Sequence, residues 1–407
     1  ADASGKRSSV AGGKAVFAAA ARGAGNTALA DRIAGEPNWR KSYEQYVVRV
    51  AEASAASPEA AVKAAEAGLD AIYSSFEFVR GGKTTTLDEA MAAPASEVAF
   101  STGKVLGSAP PNRAVEVPYG GKVLSGDALT QQLKAWATYG CMEPGVESAI
   151  TSVATGGGVD LTGKVFVVLG ATSALGPLSS LLKWGATVIA VARPKPQSWA
   201  KLISEARASA GTFLFPTRGA VVADADDSAL AAVAGADLMV DTPEILAWLR
   251  TLLAELQCVQ PIIGMYTYLD SDAHVRVSVA CDAIMRALAP AGSAASLAYI
   301  QTPSLAYDIP TEARDASVAA YRGSWLKMIG YPPNARTAVP GTQPARYIHD
   351  GLLNMQGPNY ALAKTLQLWR GLLARSRDAI TVSANIAPPA RTASMVAGDN
   401  KNAGAVA

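Results

Sequence analysis

The chain has 407 residues, half of them apolar, and a formal net charge of +2, enough for two domains or one elaborated domain. The near-neutral balance, without a lysine- or arginine-rich tract, excludes a nucleic-acid partner held by charge. No uninterrupted apolar stretch reaches the ~18 residues of a membrane-crossing helix. Three scattered cysteines (Cys141, Cys258, Cys281) make neither a disulfide framework nor a zinc site, so a reducing compartment and no metal are expected.

Taken in order, residues 1–155 read as a mostly helical N-terminal extension. Asn38–Val50 places aromatics and valines on one face, and Pro58–Arg80 repeats apolar residues at Val62, Ala65, Leu69, Ile72 and Phe76. Residues 91–125 are turn-rich and read as irregular. Asp127–Thr138 and Glu143–Ala154 read as helices before a Gly-Gly-Gly hinge at 156–158.

Residues 156–310 alternate strand and helix, which predicts an α/β doubly wound parallel sheet, a Rossmann nucleotide-binding domain. Val165–Leu169 is an apolar strand that delivers Gly170. Thr172, Ser173, Ala174, Leu175 and Gly176 then lead into a helix at 177–184. Glycine permits the sharp turn, the small residues admit a pyrophosphate, and the N–H groups opening the helix face it. A second strand, Thr187–Val191, runs into Arg193 and Lys195. A basic residue there suits the 2′-phosphate of NADP, where an acidic one would suit NAD; the alternative is a pair of solvated loop charges. Helix Gln197–Ala210, strand Thr212–Phe215, Asp224 near an adenine, strand Ala236–Asp241, helix Thr242–Leu256, strand Pro261–Tyr268, helix Ser271–Leu288 and strand Ala295–Ile300 complete the domain. Residues 311–407 read as C-terminal helices and loops packing on it. Tyr360–Ser376 is the best helix, and a flexible tail runs from Ala387.

The run Leu161–Gly176 resembles the opening of a short-chain dehydrogenase/reductase, with Leu169 for the family's Thr and Ala174 for its middle Gly. The resemblance covers about residues 160–310 and implies NADP(H) binding. The family's tyrosine acid/base has a lysine four residues later. Tyr-x-x-x-Lys is expected to be absent, and no lysine occurs between Lys201 and Lys327, which spans the rest of the nucleotide domain. The usual Asn-Asn-Ala-Gly is expected after the strand ending at Asp241, where Val240-Asp-Thr-Pro-Glu244 stands instead.

Residues 263–304 are similar to trans-2-enoyl reductases with Tyr-x8-Lys spacing, which implies Tyr266 or Tyr268 as proton donor with Arg276 near the lysine position. Neither spacing matches, since nine residues intervene from Tyr266 and seven from Tyr268. His274, close to Asp270 and Asp272, is read either as an acid/base or as part of a capped helix N-terminus. His349 reads as a loop residue. Gln301–Ser304 reads either as backbone contacts to a nicotinamide carboxamide or as a turn.

Two functions follow. One is an NADP(H)-binding reductase-like protein that reduces a carbonyl or enoyl substrate by an atypical site. The other is a non-catalytic Rossmann-fold subunit docked by its helical extensions into an organellar complex, photosynthetic or respiratory. The alanine-rich start resembles organellar proteins of algae, as residues 160–385 resemble proteins of algae with complex plastids. Both imply a plastid rather than a mitochondrion, with the cytoplasm as the alternative.

Overall fold

The computed structural model describes residues 7–92, 100–219, 226–330, 335–353 and 355–387. Four helices come first: α1 (Ser9–Gly23), α2 (Thr27–Gly35), α3 (Trp39–Ser54) and α4 (Pro58–Ser75). Ser8, Asn26 and Ser57 cap α1, α2 and α4 by accepting from the N–H three residues on. Helix α4 stops at Ser75, short of the expected Arg80. Glu77–Arg80 instead pairs antiparallel with Lys83–Thr86 across Gly81-Gly82, whose positive φ values turn a hairpin.

The central sheet has seven strands: β1 (Phe100–Leu106), β2 (Val165–Leu169), β3 (Thr187–Val191), β4 (Thr212–Arg218), β5 (Ile262–Met265), β6 (Ser296–Gln301) and β7 (Thr381–Ile386). Their order is β7-β6-β5-β2-β3-β4-β1. Strands β2 to β7 are parallel, and β1 closes the β4 edge antiparallel. Read from β4 to β7, the parallel strands follow the doubly wound order, with the switch point between β2 and β5. Two strands come from outside residues 156–310. β1 lies in the stretch expected to be irregular, and β7 in the stretch expected to be helix and loop.

One expected strand is absent. Residues 236–241 are turned back on themselves rather than extended. Gly235 has φ +110°, the Asp237 carboxylate accepts from Met239 N–H, and the Asp241 carboxylate accepts from Asp237 N–H at 2.8 Å and pairs with Arg218 at 2.6 Å. These short side-chain bonds compete with a ladder. The fourth parallel strand is therefore β5, so Tyr266-Thr267-Tyr268, not Val240–Glu244, follows it.

Alternating residues split the core between the two sheet faces. Val168, Val188 and Phe213 pack with Trp199 and Ile203 on one side. Val167, Ile189, Met265 and Tyr299 face the other, beneath α5 (Asp272–Leu288) and α6 (Gly357–Ser376). Outside these helices the N-terminal ones form a third layer. Gly68 of α4 lies against the Trp369 ring of α6, where a Cβ would come within 2.3 Å. A buried ion pair fastens the layers: Arg370 of α6 donates twice to Asp282 of α5, at 2.8 Å each, and Tyr73 of α4 donates to the same carboxylate at 2.8 Å.

Between β6 and α6, residues 302–356 form an insertion with strands Ala306–Ile309, Ala335–Ala338 and Tyr347–Asp350, and helix Thr311–Gly323. His349 is half-buried on the central strand of that small sheet, not in a loop. A separate arm holds hairpin 117–124 and two helices, Gly126–Tyr139 and Pro144–Thr155. No helix among the described residues is long and apolar enough to cross a membrane.

Candidate functional site

At the switch point the ends of β2 and β5 touch. Gly170 has φ +92°, and a Cβ on it would lie 2.9 Å from the Thr267 backbone nitrogen, so only glycine fits. The Gly170 and Ala171 N–H groups both donate to the Val191 carbonyl, at 2.9 and 3.1 Å. Ser173 N–H donates to Gly170 and Gly176 N–H to Ser173. The N–H groups of Thr172, Ala174 and Leu175 have no acceptor among the described residues, and these three residues are exposed. The next helix, Leu178–Lys183, is short. Arg193 lies just beyond the end of β3, exposed and without an ion pair among the described residues; its carbonyl accepts from Trp199 Nε1. Asp224 lies outside the described residues.

The residues expected to act on substrate are dispersed. The Tyr266 ring folds over Gly264, and burial pushes its hydroxyl up to about 12. Arg276 lies on the outer face of α5, paired with Asp272 at 3.1 Å. Tyr268 and His274 do meet, ring edge to ring face, with centroids 5.0 Å apart. The Tyr268 hydroxyl donates to Asp270, and burial together with that carboxylate raises it to about 12. His274 is 1% exposed, and Nε2 has no partner among the described residues. Burial, then the positive charge of Lys364, lowers it to about 3, so it is neutral at physiological pH. Ser271 occupies the cap position of α5 without a side-chain cap bond.

A third ring completes this group, Tyr360 in the first turn of α6, 5.4 Å from His274 and 6.3 Å from Tyr268. One turn on, Lys364 shares its helix face. Tyr360-Ala-Leu-Ala-Lys364 is a Tyr-x-x-x-Lys sequence, so the motif expected to be absent is present, outside residues 156–310. Lys364 Nζ donates to the Ile300 carbonyl of β6 at 3.1 Å and to Gln367 Oε1 at 3.3 Å. It has no carboxylate partner among the described residues, and burial lowers it to about 8. Burial raises the pKa of the Tyr360 hydroxyl, and the Thr302 side chain partly offsets it. A protonated phenol and a weakened ammonium therefore lie one helical turn apart on α6, over the carboxyl ends of β5 and β6, with Lys364 Nζ turned to the Ile300 carbonyl and Gln367.

Sequence reasoning missed Tyr360 and Lys364 because the insertion moves α6 beyond residue 310. The spacing itself was the available signal. Among the described residues no group of three or more His, Cys, Asp or Glu could hold a metal ion. No protein-family model matches the chain, and no curated protein matches it.

Proposed function

We propose that this chain is an NADP(H)-dependent reductase of the short-chain type, acting on a carbonyl or enoyl substrate. The observation that carries the reading is the Tyr360–Lys364 pair over the carboxyl ends of β5 and β6, beside the switch point. Two features fit a dinucleotide: the loop N–H groups without acceptors and the unpaired Arg193 beyond β3. When bound, the reduced cofactor would supply the hydride. Tyr360 donates the proton to the reduced substrate, and Lys364 Nζ restores it. Neutral His274 and Tyr268 pack against the Tyr360 ring and hold it in orientation. Tyr266 and Arg276 take no part.

The test is NADPH binding by the purified chain, then NADPH oxidation with a panel of carbonyl and enoyl compounds. Tyr360→Phe is expected to lower turnover about 10²–10⁴-fold with the dinucleotide affinity unchanged. Failure to bind either dinucleotide, or full turnover by Tyr360→Phe, overturns the reading.

The arm favours a second reading, a subunit of a larger organellar assembly. Helix Pro144–Thr155 buries no residue, and Tyr139 beside it is 86% exposed. NADPH binding without turnover, joined to loss of a native complex on Tyr139→Ser, would favour this reading instead.

A further inference from the structure

We infer that the tip of the insertion, residues 325–329, is an anchor that seats the protein on an anionic lipid surface. The inference stands apart from the reading of the site as one for a dinucleotide. Within the insertion, helix Thr311–Gly323 buries no residue, and a short helical turn, Trp325–Ile329, follows it. Lys327 Nζ donates to the Arg322 carbonyl and ties the turn to the end of that helix. Trp325 is 63% exposed, Met328 78% and Ile329 62%. Large apolar side chains grouped this closely in water mark an interaction surface.

The charges around them indicate what covers them. Between Asp315 and Asp350 the sequence has no acidic residue and four basic ones, Arg322, Lys327, Arg336 and Arg346. Arg346 pairs with Asp308 at 2.8 Å. Arg322 and Lys327 are exposed, and neither has a carboxylate partner among the described residues. The complement is a negatively charged layer with apolar material behind it.

An anionic bilayer has that order, phosphates outermost and acyl chains beneath. Trp325 suits the boundary, because its ring is apolar and its indole N–H polar. Met328 and Ile329 enter the acyl layer. The Lys327 stem lies along it while the ammonium rises to the phosphates. A protein partner fits less well. A stable protein interface buries about 1,000 Å² or more, and its centre is poor in charge. Here the apolar side chains are few and a lysine stands among them. An anchor of this size gives reversible attachment to the surface.

The experiment is flotation of the full chain with vesicles of phosphatidylcholine, with and without phosphatidylglycerol. Wild type is expected to float with the anionic vesicles and only weakly with the neutral ones. Trp325→Ser is expected to lower partitioning onto anionic vesicles about ten-fold. Lys327→Gln is expected to lower it about five-fold and to leave neutral vesicles unaffected. Both side chains are exposed, so each variant should keep the wild-type urea midpoint; Met328→Ser serves in place of one that does not. Tyr139→Ser, on the arm, is expected to float as wild type does. Wild type that ignores both kinds of vesicle overturns the inference, as does equal binding to the two or flotation that Trp325→Ser leaves intact. Self-association lost in Trp325→Ser, with vesicles ignored, assigns the tip to a protein partner and overturns it too.

Discussion

The two halves of the sheet differ in how their residues meet. In β2, β3 and β4 each strand pairs with its neighbour in sequence, and the glycine turn and Arg193 lie within one βαβ unit. In β5, β6 and β7 the site is assembled from afar: Tyr268 and His274 follow β5, Thr302 follows β6, and Tyr360 and Lys364 arrive after the insertion. Binding of a common cofactor needs only a local cradle. Acid/base chemistry needs groups set against one another, and here the distal half supplies them.

This comparison can be broken at several points. The largest effect is expected from the ion pair that seats α6. Arg370→Leu leaves the Asp282 charge buried with only the Tyr73 hydroxyl, and is expected to cost about 3–5 kcal/mol, read as a lower urea midpoint. Turnover is expected to fall with it, because α6 carries Tyr360. An unchanged midpoint would show that the distal half does not depend on this fastening.

Gly170→Val attacks the joint between the halves. It combines a disfavoured φ with a clash on Thr267 and is expected to cost about 2–4 kcal/mol. A weaker dinucleotide complex is expected as well. Arg193→Ala touches only the proximal half. It is expected to reduce the preference for NADPH over NADH about ten-fold, with melting temperature unchanged.

The pH dependence belongs to the distal half. The folded chain holds His274 down to about 3 against an ordinary 6.5, so the unfolded chain binds the proton first as pH falls. Stability is therefore expected to drop between pH 6.5 and 3, and His274→Phe should flatten that slope. Lys364 acts at the other end. Lowered to about 8 from 10.5, it penalises folding fully below pH 8, and the penalty is relieved as pH rises toward 10.5. Lys364→Met should remove that alkaline rise in chemical-denaturation profiles.

What the sequence made legible follows the same division. The run Val165–Val191 shows its strands and turn because local apolar runs and a glycine determine them. Strand β1 was hidden in a turn-rich stretch, because its partner β4 supplies the ladder that its own residues do not announce. Residues 236–241 carry the apolar content of a strand, yet Asp237 and Asp241 bind their own backbone and turn it. The reductase pattern directed attention to 156–310, while the insertion carried Tyr360 and Lys364 past that limit.

The packing of α4 on α6 bears on how the chain is made. Glu66 and Arg377 pair across 311 residues of sequence, and Gly68 waits for Trp369. During synthesis α1 to α4 emerge with apolar faces whose cover, α6, is translated long after them. Contacts this distant are slow to close and leave sticky surface exposed meanwhile. A ribosome-bound chain halted before residue 357 should therefore recruit holding chaperones to its N-terminal helices, and release them once α6 has been threaded out.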